Sequence, residues 1–304
     1  MKNKLPFLLQ GLFVVFLWSA SKIVMKIGLE EIPPYFFAGM IQLLVFIILL
    51  IYTWRQGKKY FFGISFKHKY LMILSGVVGY GAATLFVMIG LQYVTGATAG
   101  LAAATSIIFN LLMAGILVRE KLRMEQYLGI AVLLVGIIVF LGNQVLGGTL
   151  LGVGLLLLAE AGYAFNNAVA RMISKAHKKD ITLTLALIGN GVGAMILVPI
   201  GLLAGGLPQQ IVWDSRLIIG VITVALIFAF GGLLWNGVLD KLRVIEASVL
   251  TNTIIIQVAI LSVIFLHETL TSNNILGGLL VLLGAVVVDG RMIFPRAFGL
   301  RLVG

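Results

Sequence analysis

The stretch ATAGLAAATSIIFNLLMAGILVREKL, residues 97–122, holds 22 consecutive uncharged residues and then a short turn that carries all of its charged residues. A helix of about 20 such residues spans the roughly 30 Å hydrocarbon core of a bilayer. Apolar and polar side chains do not alternate strictly along it, so it does not have the pattern of a barrel strand. The stretch therefore predicts a transmembrane helix.

Similar apolar stretches recur along all 304 residues, of which 61% are hydrophobic and 11% charged. Soluble proteins carry roughly 25% charged residues, so a water-soluble fold is excluded. Backbone groups in hydrocarbon must bond within their own segment, which favours helices. The predicted fold class is an all-α integral membrane protein with ten transmembrane helices. The predicted spans are 5–27, 35–54, 70–92, 97–118, 124–141, 150–174, 182–203, 217–239, 247–266 and 275–292.

The basic residues lie unevenly between these spans. The chain has 22 Lys and Arg against 11 Asp and Glu, a net charge of +11. With ten spans and a cytoplasmic N-terminus, 19 of the 22 fall in cytoplasmic segments, as the positive-inside rule requires. Lys22 and Lys26 lie within the first span, and Arg216 lies in an outside loop. We therefore expect a multi-pass protein of the cell membrane with both termini in the cytoplasm.

The two halves of the sequence repeat at an offset of 148 residues. Each repeat unit holds five predicted spans, and because five is odd the second copy enters the membrane from the opposite side. Inverted-topology repeats of this kind support alternating access in transporters. The matched pairs are Ala99 and Ala247, Thr105 and Thr253, Ile107 and Ile255, Ile108 and Ile256, Glu120 and Glu268, Leu122 and Leu270, Gly129 and Gly277, and Gly136 and Gly284.

Three motifs carry a family resemblance. Residues 90–101, GLQYVTGATAGL, lead through one span to REKL at 119–122 and QYLG at 126–129. Residues 238–277 follow a similar course through HETL at 267–270, and Trp18 is followed by small residues in the first span. These motifs resemble two EamA repeats of the drug/metabolite transporter superfamily. Arg119 and His267 depart from the family pattern, since a Gly often precedes the Glu.

This resemblance covers nearly the whole chain. It implies a first repeat at 5–142, a second at 150–292 and a cytoplasmic tail at 293–304. It also implies ten helices and secondary transport without ATP hydrolysis, usually the export of small metabolites, amino acids or drugs. It does not imply a substrate.

Few ionisable residues lie inside the predicted spans, where they are costly and indicate function. Lys22 follows Trp18 by four residues and shares its helix face. Glu160 is about ten residues into its span, roughly 15 Å deep, and forms a polar stripe with Tyr163 and Asn167. We expect Lys22 to bind a substrate carboxylate and Glu160 to bind a substrate amine, with Trp18 and Tyr163 as aromatic walls of the site. A structural hydrogen bond, or a buried pair between Lys22 and Glu160, is the alternative.

Other candidates carry weaker signals. Glu160 is the proton-coupling candidate, because a deep carboxyl group can bind and release a proton. Glu120 and Glu268 are assigned to the fold, since each precedes a helix whose free N–H groups it can satisfy. Interhelical hydrogen bonding explains Asn110, Asn252 and Gln257 about as well, and ordinary packing is favoured for Tyr80 and Trp235. Asn166 lies beside the stripe that contains Glu160. These remaining substrate-binding candidates are Tyr80, Asn110, Asn166, Trp235, Asn252 and Gln257. Glycines that offer small faces for packing within the chain or across a dimer are Gly129, Gly136, Gly277, Gly278 and Gly284.

The sequence has no motif for a cofactor. It lacks cysteine and a P-loop, and its three histidines are dispersed, so we expect no cofactor, metal or catalytic residue. The expected partners are a small-molecule substrate and the bilayer, with no nucleic acid and with a monomer or homodimer both open. A channel, or a flippase-like carrier of a lipid-linked sugar, is the alternative. An intramembrane enzyme acting on a lipid is less favoured, because Glu160 is the single deep carboxylate.

Overall fold

The computed structural model describes residues 5–56, 66–118, 124–142, 148–177, 182–204, 211, 214–239 and 250–289. These ranges are helical apart from short connections and hold no strand, which confirms the all-helical class. A π-helix at Gly76–Ala82 joins the third helix to the fourth. The α-helices are α1 Leu5–Gly28, α2 Pro34–Arg55, α3 Phe66–Ser75, α4 Ala83–Tyr93, α5 Gly96–Ala104, α6 Ser106–Val118, α7 Met124–Leu141, α8 Gly148–His177, α9 Thr182–Ala204, α10 Ser215–Leu239, α11 Ile254–Leu266 and α12 Ser272–Asp289.

Eight helical segments in the described ranges are long and apolar enough to cross a membrane. Two further apolar helices, Leu250–Leu266 and Ser272–Val288, are shorter and correspond to the ninth and tenth predicted spans. The chain is therefore a multi-pass membrane protein, and the count of ten crossings stays a prediction.

Large apolar side chains cover the outer faces of the helices. Ile138 is 70% exposed and Met195 is 79% exposed. This surface suits a lipid environment, in which apolar exposure carries no penalty. The largest buried cluster includes Met25, Phe37 and Met88 and joins α1, α2 and α4 to helices of the second half.

Helices of the first half pack on helices of the second. Such pairs include α1 with α10, α2 with α9, α4 with α8, α5 with α11, and α7 with α12. In the last pair, a Cβ added to Gly136 would lie 2.7 Å from the backbone nitrogen of Val281. One added to Gly284 would lie 2.6 Å from that of Leu133. The predicted small faces on α7 and α12 thus make a close helix contact within the chain.

Two threonines break helices that the sequence predicts as continuous. Thr105 separates α5 from α6, and Thr253 directly precedes α11. The Thr105 hydroxyl donates to the carbonyl of Ala102 at 2.6 Å, and the Thr253 hydroxyl donates to that of Leu250 at 2.6 Å. Such bonds compete with the helix ladder and bend the chain. The acceptors Ala102 and Leu250 are 148 residues apart, as are the two threonines, so the helices of both halves break at equivalent positions.

The end of α11 explains the position at which the sequence departs from the family pattern. His267 adopts a left-handed conformation, with φ 54° and ψ 30°. Its N–H and that of Glu268 both donate to the carbonyl of Ser262. Glycine adopts this conformation most readily, which accounts for its frequent use before the Glu.

Glu268 satisfies a helix N-terminus, but of a different helix from the one expected. Its carboxylate accepts from the N–H groups of Gly96 at 2.6 Å and Ala97 at 3.2 Å, at the start of α5. The helix that follows it, α12, is capped by the Thr271 hydroxyl, which accepts from the Asn274 N–H at 3.2 Å. The matched residue Glu120 lies outside the described residues.

Candidate functional site

A cavity of about 340 Å³ lies between helices of both halves. This volume is at the low end of the roughly 300–1,000 Å³ typical of small-molecule sites. Its charged lining residues are Lys22 and Glu160. The full lining is Trp18, Ser21, Lys22, Met25, Thr84, Val87, Met88, Ala103, Ser106, Glu160, Tyr163, Asn166, Asn167, Phe228, Thr251 and Ile254.

The structure brings six of the eleven candidate residues together in this lining. They come from one face of α1 and one face of α8, because residues three, four and seven apart on a helix share a face. That these residues bind a substrate stays a prediction. The six are Trp18, Lys22, Glu160, Tyr163, Asn166 and Asn167.

Lys22 and Glu160 approach each other without a direct bond. Both lie in the part of the chain that the structure describes, and no hydrogen bond or ion pair joins them there. The Lys22 ammonium is nevertheless near enough to interact electrostatically with the Glu160 carboxylate. Glu160 is buried, with 8% of its surface exposed. The cavity therefore holds one basic and one acidic side chain that do not bond directly to each other.

Three further candidates lie directly behind the lining. Asn110 accepts a hydrogen bond from the Asn167 amide at 3.2 Å. The Tyr80 hydroxyl accepts one from the Asn166 amide at 3.4 Å. Trp235 packs against Trp18, with ring centroids 5.4 Å apart and planes tilted by 53°. Each of the three orients a lining residue.

The last two candidates lie near the Thr253 break. The Gln257 side chain accepts from the Ser19 hydroxyl at 3.2 Å and donates to the Thr253 hydroxyl at 3.0 Å, which joins α1 to α11. Asn252 is buried, and its amide nitrogen has no hydrogen-bond partner among the described residues. Neither residue lines the cavity.

Sequence reasoning missed the polar residues of α2 and α4. Gln42 is 3% exposed, and its amide donates to the Thr84 hydroxyl at 2.6 Å and to the Tyr80 carbonyl at 3.0 Å. The Thr84 hydroxyl in turn interacts with that of Tyr163. An amide in the middle of the second apolar span was a usable signal for Gln42. Thr84 gave none, because threonine is common within membrane helices.

The π-helix places part of this network beside α8. A Cβ added to Gly79 would lie 2.8 Å from the Asn166 Cβ and 3.1 Å from the Gly162 carbonyl oxygen, so glycine permits the close approach. One turn earlier, the Ser75 hydroxyl donates to the Asn166 side chain at 2.6 Å. Such π-turns are rare and frequently lie at functional sites.

Metal ligands do not cluster in the described ranges. No group of three His, Cys, Asp or Glu side chains there could hold a metal ion. The chemistry available at the cavity is therefore that of an ammonium, a carboxylate, aromatic rings and uncharged polar groups.

Comparison with known proteins identifies the family. Residues 5–142 and residues 150–288 each match the model of the EamA-like transporter family. The chain belongs to the EamA-like transporter family. This confirms the resemblance to EamA repeats and makes the protein a membrane transporter with a small-molecule substrate.

Relatives of this EamA-like transporter match it over nearly its full length. It is 25% identical over 281 residues to "Uncharacterized transporter YoaV" of Bacillus subtilis, covering 89% of this chain and 92% of the relative. It is 23% identical to a "Probable amino-acid metabolite efflux pump" of Salmonella typhimurium, covering 96% and 95%. An Escherichia coli protein of the same name is 22% identical, covering 96% and 94%.

A solved crystal structure shares the fold of this EamA-like transporter. The TM-score is 0.65 over 95% of this chain and 99% of that chain. Sequence identity is 16%, so the likeness bears on the fold alone.

Proposed function

We propose that this EamA-like transporter exports small zwitterionic metabolites, of the size of an amino acid, by secondary active transport. The observation that carries the proposal is the cavity of about 340 Å³, which presents both Lys22 and Glu160. A zwitterion meets an opposite charge at each end, which offsets the cost of removing its charges from water. Trp18 and Tyr163 supply apolar surface and an aromatic partner for the substrate amine.

The helix contacts support alternating access between two inverted repeats, 5–142 and 150–292. In span numbers, three of the helix pairs join spans 2 and 7, 4 and 9, and 5 and 10, which are equivalent positions of the two halves. The other two pairs are spans 1 and 8 and spans 6 and 3. Because spans 1 and 6 are equivalent, and spans 3 and 8 are equivalent, interchanging the halves converts each of these pairs into the other. The breaks at Thr105 and Thr253 follow the same symmetry. Such a pair of repeats can rock around a site near the membrane midplane.

The driving force is proposed to be a proton gradient, with Glu160 as the proton carrier. Glu160 is the carboxylate of the cavity lining, and a buried carboxyl group is a common relay in membrane transporters. Export is supported by the two relatives that are named efflux pumps. The location of 19 of 22 basic residues supports a cell-membrane protein with both termini cytoplasmic.

The test begins with a search for the substrate. Cells that overproduce the protein are challenged with toxic amino-acid analogues, nucleobases and cationic drugs, and each hit is measured as flux in proteoliposomes. We expect resistance to zwitterionic analogues and saturable flux. Flux should fall roughly tenfold or more in Lys22→Met and in Glu160→Gln. The exposed residue Glu31 provides the matched control, since Glu31→Gln makes the same charge change outside the cavity.

Wild-type flux in both cavity variants would contradict the proposal. Flux that rises linearly with concentration would indicate a channel. A chemically modified product from a labelled lipid would indicate an enzyme.

A further inference from the structure

The connection between α4 and α5, residues 93–97, is held by opposite charges from two sides. We call it the α4–α5 corner. Lys26 of α1 is half-buried, and its ammonium donates to the carbonyls of Leu91 at 3.0 Å and Val94 at 2.5 Å. On the other side, Glu268 accepts from the first two N–H groups of α5. A cation at a helix C-terminus and an anion at a helix N-terminus are both favourable for the helix dipoles.

A lysine near the end of a membrane span can extend its ammonium to the interface, but these contacts tie Lys26 to the protein backbone instead. The side chain does reach toward the end of the bundle, but it is bound there to α4. Glu268 belongs to the second half of the chain, whereas Lys26 and the corner belong to the first. The corner is therefore bound by both halves, and the Glu268 contact breaks if the halves separate at this end.

The helices next to the corner fit closely. A Cβ added to Gly96 would lie 2.8 Å from the Cβ of Ser262, and one added to Gly100 would lie 2.8 Å from the Cβ of Val258. The α5 and α11 helices are thus in close contact beside the corner.

A second, more polar cavity adjoins the corner. It has a volume of about 430 Å³, and its lining includes Lys26, Thr95, Thr98 and Glu268. We call it the corner recess. The α1 helix contributes Lys22 to the central cavity and Lys26 to the recess, and these residues are one turn, roughly 6 Å, apart along the helix.

Buried apolar side chains lie beside both the central cavity and the backbone that Lys26 binds. Met25, Met88 and Leu91 are 2%, 0% and 1% exposed and belong to one buried cluster. Met25 and Met88 also line the central cavity, and the carbonyl of Leu91 is bound by Lys26. The charged contacts thus hold in place the backbone that carries part of this cluster.

We propose that the α4–α5 corner is a gate between the central cavity and the corner recess, held closed by Lys26 and Glu268. The gate rests on the proposed function, because a carrier must open its cavity at each end in turn. Release of the two contacts frees α4 and α5 from α1 and α11. The recess is then the vestibule through which the ligand passes.

The absence of cysteine from the chain makes a direct test possible. Ser21 lines the central cavity and is 1% exposed, so Ser21→Cys reports on opening. The rate of its reaction with a membrane-impermeant thiol reagent is measured from each side of the membrane. Ser272 is exposed at the start of α12, four residues after Glu268, so labelling of Ser272→Cys identifies the side of the membrane on which Glu268 lies.

We expect Glu268→Gln and Lys26→Met each to raise the labelling rate of Ser21→Cys from the Glu268 side by roughly tenfold, because each removes a charge-assisted contact. Glu268→Asp keeps the carboxylate and should raise it less. Glu31→Gln, an exposed acid at the same end, should leave it unchanged. Size-exclusion profiles verify that each variant is folded.

Unchanged labelling in folded Glu268→Gln and Lys26→Met, with Ser272→Cys reactive, would overturn the gate. An equal increase in Glu31→Gln would overturn it as well. Labelling requires no substrate, so its failure leaves the proposed function standing. The proposed function is tested separately by flux in Lys22→Met and Glu160→Gln.

Discussion

Lys22 is the residue at which substrate binding can be separated from the rest of the transport cycle. In Lys22→Met the apolar stem is kept and the ammonium is lost, so the substrate carboxylate has no basic partner in the cavity. We expect the KM of flux to rise about 10- to 100-fold for a zwitterion. The measurement is the concentration dependence of flux in proteoliposomes.

The matched control for this prediction is a substrate variant. An amino amide lacks the carboxylate, so its KM should be nearly the same in wild type and in Lys22→Met. An equal loss for the zwitterion and the amide would contradict the assigned role of Lys22.

At the level of residues, the sequence predicts the site where charge or spacing singles a residue out. Lys22 and Glu160 are found because an ionisable group in an apolar span is costly. Asn167 is found from its helix spacing to Glu160. Ser21 and Thr84 are missed, because small hydroxyl groups can bond their own helix and leave no pattern. Indeed the Ser21 hydroxyl donates to the Trp18 carbonyl at 2.8 Å.

Among the helices, α10 offers a test of a helix cap outside the membrane-spanning segment. The Asp214 carboxylate accepts a hydrogen bond from the Leu217 N–H at 2.7 Å and another from the Arg216 guanidinium at 3.1 Å. These bonds lower the pKa of Asp214 below its ordinary value of 3.8. The cap therefore stabilises α10 at pH values above the ordinary pKa of Asp214, and this stabilisation is lost as the pH falls through the lowered pKa. We expect amide-exchange protection at Leu217 to fall in Asp214→Ala at neutral pH.

Asp214→Asn is the matched control for the cap. Asparagine also caps helices but does not ionise, so protection should remain and lose its dependence on pH. Protection at Leu217 that is the same in Asp214→Ala as in wild type would contradict the cap.

The π-helix offers a second test among the helices. Gly79→Ala places a methyl group 2.8 Å from the Asn166 Cβ, and such overpacking costs about 1–3 kcal/mol. Gly81→Ala meets its nearest atom at 3.5 Å, an ordinary contact, and should be neutral or slightly stabilising. Thermal unfolding in detergent should show a lower Tm for Gly79→Ala than for Gly81→Ala. Equal values would contradict the close approach of the π-helix to α8.

The sequence predicts where these helices lie better than it predicts their irregularities. The apolar run at 124–141 coincides with α7, and the run at 5–27 ends within one residue of α1. Hydropathy does not distinguish a π-turn at Gly76–Ala82, or a break at Thr105, from a continuous helix, because both leave the segment apolar. The contact of Glu268 with α5 also depends on how the two halves pack, which no local pattern encodes.

For the whole molecule, the repeat offset of 148 residues and the apolar runs predict most of the architecture. The five helix pairs named in the description of the fold obey the symmetry that an inverted repeat requires. Orientation in the membrane stays a prediction from the basic residues, many of which lie outside the described ranges. The substrate also stays a proposal, because a small cavity with one basic and one acidic side chain admits many zwitterions.

Uphill transport of a zwitterion in proteoliposomes tests the central claim most directly. Accumulation is measured with and without an imposed proton gradient, in wild type and in Glu160→Gln. The account predicts that wild type concentrates the zwitterion only when the gradient is present, and that Glu160→Gln loses roughly tenfold or more of this accumulation. Gradient-driven accumulation by Glu160→Gln equal to that of wild type, or wild-type flux that never exceeds equilibrium, would contradict it.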